Sequence, residues 1–264
     1  MASMFWIAVL LGLVEGLTEF LPVSSTGHLI VTSALLGFEG ERAELFEIFI
    51  QLGAILGVVV EFRQKLFKLV FELPTQRRSR TFAVKLLIAF LPLAIVGLAL
   101  RDLITTHLFN PQMVAWALIV GAILILIVEG IRIKPNVHDA TNLGWGQAAW
   151  IGLAQMLALW PGFSRSAATI LGGVVTGLDR RAATEFSFFL AIPVMMAAGC
   201  YDLYSNFHHL QPGDGGWLSL SFAISFVVGW AAVRWLLKFV ATHTFRAFAY
   251  YRIVLGCVLL IYFH

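Results

Sequence analysis

Glu15 and Glu19 stand four residues apart in LGLVEGLTEF, which stacks their carboxylates on one face of a helix whose other side chains are largely apolar. An uncompensated carboxylate at the centre of a bilayer costs about 3 kcal/mol on insertion scales, so a pair of them calls for a cation. A divalent metal ion held by hard oxygen ligands and shared with a phosphate satisfies both; an ion pair with Arg165, or a position near water, is the alternative. A few residues on, Ser24-Ser25-Thr26-Gly27-His28 places hydroxyls at the start of a second helix, with His28 three positions beyond Ser25 and on nearly the same side. Histidine is the side chain suited to moving a proton near neutral pH, although a structural histidine and a capping Ser24 are the plainer readings. The third cluster is Pro161-Gly162-Phe163-Ser164-Arg165-Ser166, with Thr169 one turn further. A guanidinium beside hydroxyls and free N–H groups makes a phosphate clamp. Because Arg165 falls at a chain break rather than at a membrane boundary, snorkelling to the interface explains it less well. Two carboxylates, hydroxyls, a histidine and an arginine are an inventory for phosphoryl transfer.

The elements that must hold these residues lie in a membrane. Hydrophobic residues make up 59% of the 264, charged ones 12%, and mean hydropathy is +0.87, whereas a soluble domain carries roughly 25% charged residues. Apolar runs long enough to cross a hydrocarbon core of roughly 30 Å occur at about 45–62, 82–100, 112–131, 186–204, 217–239 and 248–263. The expected architecture is an all-α polytopic membrane protein with six transmembrane helices plus two re-entrant helical hairpins, and its substrate is therefore a phosphate carried on a lipid.

The hairpins come from an internal repeat. At an offset of 140, LGLVEGLTEFLPVSSTGHLIVTSALLGF aligns without a gap on IGLAQMLALWPGFSRSAATILGGVVTGL, pairing Gly12 with Gly152, Leu17 with Leu157, Ser24 with Ser164 and Gly37 with Gly177. Each copy reads helix, Pro break, Ser-rich cap, helix, Gly stop. Each half-helix has roughly 14 residues, about 21 Å of rise, too short to span alone. Non-helical backbone at that depth is tolerated only against protein or water, so the breaks should face an internal cavity. Three spans separate the copies, and an odd number makes them an inverted-topology repeat whose half-helix N-termini converge on an anion. Repeat 1 covers about 1–131 with its hairpin at 4–38, and repeat 2 about 146–264 with its hairpin at 146–178, in one membrane domain. The copies have diverged: Gln155 stands opposite Glu15 and Leu159 opposite Glu19.

Arg63, Lys65, Lys68, Arg77, Arg78, Arg80, Arg132, Lys134, Arg180, Arg181 and Arg246 fall in connections on one side, which the positive-inside rule makes cytoplasmic. Both termini are then expected outside. The first 20 residues lack the basic start and cleavage site of a signal peptide. Cys200 and Cys257 lie in apolar spans and are expected to pack there without a disulfide.

EGLTEFLPVSSTGH and PGFSRSAAT resemble the two signature motifs of the bacterial undecaprenyl pyrophosphate phosphatases of the bacitracin-resistance type, and the likeness extends through EFSFFLAIP and YYRIVLG. The resemblance implies six spans with two re-entrant hairpins, removal of one phosphate from undecaprenyl diphosphate at the outer face of the inner membrane, recycling of that carrier for peptidoglycan synthesis, and dependence on a divalent metal, Mg²⁺ or Ca²⁺. Carried over by position, it puts the acidic motif on Glu15 and Glu19, its hydroxyl and histidine on Ser25 and His28, and the basic motif on Ser164, Arg165, Ser166 and Thr169. Ala167 stands where family members commonly have Gly, and the likeness of STGH to the PSGH of a separate acid-phosphatase superfamily has no further support.

On this reading Glu19, Ser25, His28 and Arg165 are catalytic, Glu15 and Glu19 hold metal, and Ser24, Thr26, Ser164, Arg165, Ser166 and Thr169 contact phosphate. The nucleophile is Ser25, His28 or water. Arg252 is either a further cavity residue or a partner for Glu129 or Glu185. The rival function is a transporter or flippase of lipid phosphates, which has less use for Ser25 with His28; a structural scaffold does not account for the polar breaks. The partners expected are the lipid diphosphate and the membrane, with a homodimer as the assembly and no nucleic acid.

Overall fold

The computed structural model of the chain describes residues 3–206, 208 and 210–263. Among them are twelve α-helices and no strand. α1 (Met4–Thr18) and α2 (Ser25–Leu36) form one hairpin, and α8 (Trp145–Gln155) and α9 (Arg165–Val175) the other. Between them come α3 (Glu41–Glu61), α4 (Arg63–Glu72), α5 (Arg77–Ala99), α6 (Arg101–Leu108) and α7 (Pro111–Gly130); after them come α10 (Arg180–Asn206), α11 (Asp214–Phe239) and α12 (Arg246–Tyr262).

Five helices, α3, α5, α7, α10 and α11, are long and apolar enough to cross a membrane. The sixth expected span is α12, whose 17 residues rise about 25 Å, the short end of the spanning range. The chain is thus a multi-pass helical membrane protein. Its outer faces are apolar: Leu87, Ile95, Leu98, Trp116, Val254 and Ile261 are all exposed. Cys200 and Cys257 are free and lie on this exposed surface rather than packed within the bundle.

Each hairpin packs on a span from the other half of the chain: α1 lies against α11, and α8 against α5. Both contacts are close because glycine stands at the crossing. A Cβ on Gly12 would sit 2.6 Å from the Ser221 carbonyl oxygen, and one on Gly152 2.8 Å from the Ala89 carbonyl oxygen. Backbone cannot retreat as a flexible side chain does, so Gly12→Leu is expected to cost about 1–3 kcal/mol by overpacking, read as a lower melting midpoint in detergent.

The basic connections are pinned by ion pairs. Lys65 reaches Glu185 at 2.6 Å and Arg180 reaches Glu129. Arg78 contacts Asp139, Thr141 and Asn142 in the segment after α7. Partial burial pushes the Asp139 carboxyl up, but hydrogen bonds from the Thr141 N–H and hydroxyl, with Arg78 alongside, outweigh it and hold the group below the usual carboxylate range.

Candidate active site

Both hairpins break at the same kind of residue. Ser24 (φ 71°, ψ 101°) and Ser164 (φ 78°, ψ 112°) precede α2 and α9, and they are the two non-glycine residues with positive φ among those described. L-residues enter that region at a cost of about 1–3 kcal/mol each, and such strain persists where the surrounding structure enforces it, commonly at functional sites. The Ser164 hydroxyl caps α9 by accepting from the Ala167 N–H at 3.2 Å. Ser24 holds the equivalent position but makes no side-chain cap, so the first N–H groups of α2 have no side-chain cap from it.

The two breaks close on one cavity of about 170 Å³. From the first come Glu19, Ser24, Ser25 and Thr26; from the second, Pro161, Gly162, Ser164 and Arg165; α3 adds Gln51, and α10 adds Val194, Met195 and Ala198. Ser25 Oγ donates to Glu19 Oε2 at 2.5 Å, and Arg165 Nη2 donates to Glu19 Oε1 at 3.3 Å. One carboxylate therefore receives the hydroxyl of the first break and the guanidinium of the second. Arg165 also reaches the Ser187 carbonyl at 3.4 Å. Hydroxyl, base and cation are the parts of a nucleophilic attack on phosphorus.

Glu15 lies one turn before Glu19, 1% exposed, and its Oε2 has no hydrogen-bond partner. Glu47, on α3, is within electrostatic reach of Glu15. Glu47 and Gln51 lie outside the site expected from the sequence, although two polar residues at i, i+4 in an apolar span are the same signal that marks Glu15 and Glu19. Among the described residues no group of three His, Cys, Asp or Glu side chains is arranged to hold a metal by itself. Glu15 does not line the cavity, and both oxygens of Glu19 are engaged by Ser25 and Arg165; the unpartnered Glu15 oxygen one turn away is the feature to which a cation would be suited.

Other expected site residues lie elsewhere. Ser166 and Thr169 are fully buried behind Arg165: Ser166 Oγ donates to the Leu21 carbonyl at 2.9 Å, and Thr169 Oγ1 shares a 2.6 Å hydrogen bond with Ser187 Oγ. His28 does not line the cavity. Its Nδ1–H donates to the Ser24 carbonyl at 2.7 Å, leaving Nε2 to accept from the Tyr251 hydroxyl at 2.6 Å, with the two rings stacked 5.5 Å apart. Arg252 pairs with neither Glu129 nor Glu185: those acids are held by Arg180 and by Lys65 with Arg181, and Arg252 binds backbone carbonyls.

Near the end of α1, phenylalanine rings contributed by several helices pack against one another. Phe20 packs edge-on to Phe188 at 5.6 Å, and Phe189 touches Phe62 and Phe82 at 5.0 and 5.5 Å. A second cavity of about 740 Å³ is lined by Lys65, Lys68, Arg78, His138 and Arg181 together with Phe82 and Phe189.

Fold and site together define a multi-pass helical membrane protein with a phosphate-suited site at two paired helix breaks. Residues 8–258 match the family described as "Bacitracin resistance protein BacA", and the chain belongs to that family. A protein of Pseudomonas putida (strain F1) named undecaprenyl-diphosphatase is 50% identical over 259 residues, covering 97% of this chain and 94% of its own length. Namesakes from Pseudomonas fluorescens (strain Pf-5) and Pseudomonas aeruginosa (strain UCBPP-PA14) are 49% and 50% identical over 253 residues, 96% of this chain and 92% and 91% of theirs.

Proposed function

We propose that this chain is an undecaprenyl-diphosphate phosphatase, a membrane hydrolase that converts the lipid diphosphate to undecaprenyl phosphate and inorganic phosphate and so returns the carrier to peptidoglycan synthesis. The observation that carries the reading is the hydrogen bond from Ser25 Oγ to Glu19 Oε2, with Arg165 on the other oxygen of that carboxylate. A transporter needs cations for its anionic cargo but no hydroxyl poised on a base.

Ser25 Oγ attacks the terminal phosphorus while Glu19 takes its proton, and the bridging P–O bond breaks toward undecaprenyl phosphate. Arg165 neutralises charge growing on the transferred phosphoryl oxygens. Water then cleaves the phosphoserine: Glu19 gives its proton to the departing Ser25 oxygen, and the water proton leaves with the phosphate. Ser24 and Thr26 line the phosphate site beside the uncapped start of α2. His28 holds the backbone of Ser24 and touches no reacting atom. A divalent cation, Mg²⁺ or Ca²⁺, would be held by Glu15 and Glu19 and supplies charge neutralisation on the diphosphate when bound.

The architecture proposed is six spans with two re-entrant hairpins in an inverted repeat. Its support is the exchanged packing of α1 on α11 and α8 on α5, the matched dihedrals of Ser24 and Ser164, and an unpartnered buried oxygen at the equivalent positions Glu15 and Gln155. We further propose an inner-membrane location with both termini and the cavity mouth on the outer side, and a homodimer as the assembly on the general frequency of two-fold oligomers alone. Supporting that side, the cavity touches Val194, Met195 and Ala198, from the middle of α10 toward the end remote from the basic connections.

The test is phosphate release from undecaprenyl diphosphate by detergent-purified protein with and without EDTA. Release that falls at least tenfold with chelator and returns with Mg²⁺ or Ca²⁺ is expected. Lipid movement across vesicles without release would move the transporter to first place, and chelator-insensitive release would remove the metal from the account.

A further inference from the structure

We infer that Arg252 is the positioning residue that sets the two breaks against each other, so that Ser25 and Arg165 face the same phosphate; the kinetic part of this inference rests on the hydrolase reading above. Arg252 is completely buried in α12, and among the described residues no carboxylate pairs with it. All its hydrogen bonds go to backbone carbonyls. Nη1 donates to Pro22 and Nη2 to Gly162, while Nε donates to Leu118 and Nη2 also to Ala117, each at 3.2 Å. Pro22 and Gly162 are equivalent positions in the two repeat copies, 140 residues apart, and each lies two residues before its positive-φ serine. One guanidinium therefore holds matching carbonyls from both halves. The two oxygens belong to non-helical backbone deep in the bundle, where an unmet acceptor is costly. A planar fork of five donors can meet several of them at fixed angles; the single ammonium of a lysine cannot.

The surroundings are shaped for that group. Gly121 of α7 leaves the space it fills, and a Cβ there would overlap the guanidinium. The Phe163 ring lies 5.9 Å from Cζ. The neighbouring Tyr251 holds the first break at a second point, through His28 to the Ser24 carbonyl. Arg252 does not line the cavity, so it acts on substrate only through the breaks it ties.

The experiment compares Arg252→Met, Arg252→Lys and Gly121→Ala with wild type. Gly121→Ala keeps the arginine and displaces it. Kinetics are measured below each variant's melting midpoint and normalised to folded protein. Expected is a fall in kcat of about 30- to 100-fold, since misplacement of about 1 Å costs that order, with KM changed by less than threefold. In parallel, spin labels at Leu17 and Leu157, exposed and equivalent positions on the two hairpins, report their separation by pulsed electron resonance. A narrow distance distribution in wild type that broadens or shifts in the variants is expected, and this readout stands whatever reaction the chain performs. If Arg252→Met does not fold, Gly121→Ala and Arg252→Lys carry the comparison. Wild-type kcat in the folded variants, a rise in KM at unchanged kcat, or an unaltered distance distribution would overturn the inference; absence of phosphate release by wild type would instead remove the hydrolase reading and leave the distances to decide this one.

Discussion

Ser25→Ala is expected to reduce phosphate release by a factor on the order of 10³ or more, the scale lost when a nucleophile is removed from a site that keeps its other parts. The reason is geometric. Ser25 is the first residue of α2, and its hydroxyl already hydrogen-bonds at 2.5 Å to Glu19 Oε2, the proposed proton acceptor. The substitution removes one oxygen from a partly buried position and leaves the break, Glu19 and Arg165 in place, so folding should be untouched and KM should move little. Ser24→Ala, by contrast, removes a hydroxyl that makes no cap hydrogen bond and is expected to cost far less. Initial rates of phosphate release for the two variants, side by side, check this; the reverse order would place the attacking group at Ser24.

The second large effect is expected at Arg165. Arg165→Ala removes the charge that, in the proposed mechanism, faces the transferred phosphoryl group, and arginines in that role contribute about 10³ to 10⁵ in kcat. It also strands Glu19. The two side chains are 11% and 8% exposed, and leaving one charge of a buried pair uncompensated costs about 3–5 kcal/mol. The variant should therefore lose activity and melt lower together, whereas Arg165→Lys should recover much of the stability but little of the rate, because an ammonium cannot reach Glu19, the Ser187 carbonyl and a phosphate at once. Activity and melting midpoints of both variants in the same detergent separate these effects. An Arg165→Lys protein with wild-type kcat would remove the guanidinium from the chemistry.

Much of this site is legible in the sequence because polar side chains in apolar helices have few innocent explanations. Glu15, Glu19, Ser25 and Arg165 stand out for that reason, and the offset of 140 that pairs Ser24 with Ser164 brings the two breaks to one place. What the sequence hides are contacts made by backbone and by distant chain. Spacing puts His28 on the side of Ser25, but Tyr251, 223 residues away, and the Ser24 carbonyl take both its ring nitrogens. Arg252 invites a search for an acid, yet its partners are four carbonyls, which no side-chain pattern records. Ser24 looks like an N-cap and sits at that position, but its φ is positive and its side chain makes no cap hydrogen bond. Ser166 and Thr169 share a motif with Arg165, but helix α9 turns them inward, away from the cavity.

In the proposed mechanism the two breaks, one from each half of the chain, form a single phosphoryl-transfer site. A double-mutant cycle of kcat/KM for phosphate release, with Glu19→Gln, Arg165→Lys and both together, tests it most directly. If the residues act as one unit, the double variant falls to within about fivefold of the worse single variant. Losses that multiply would show that Glu19 and Arg165 act independently and contradict the shared site.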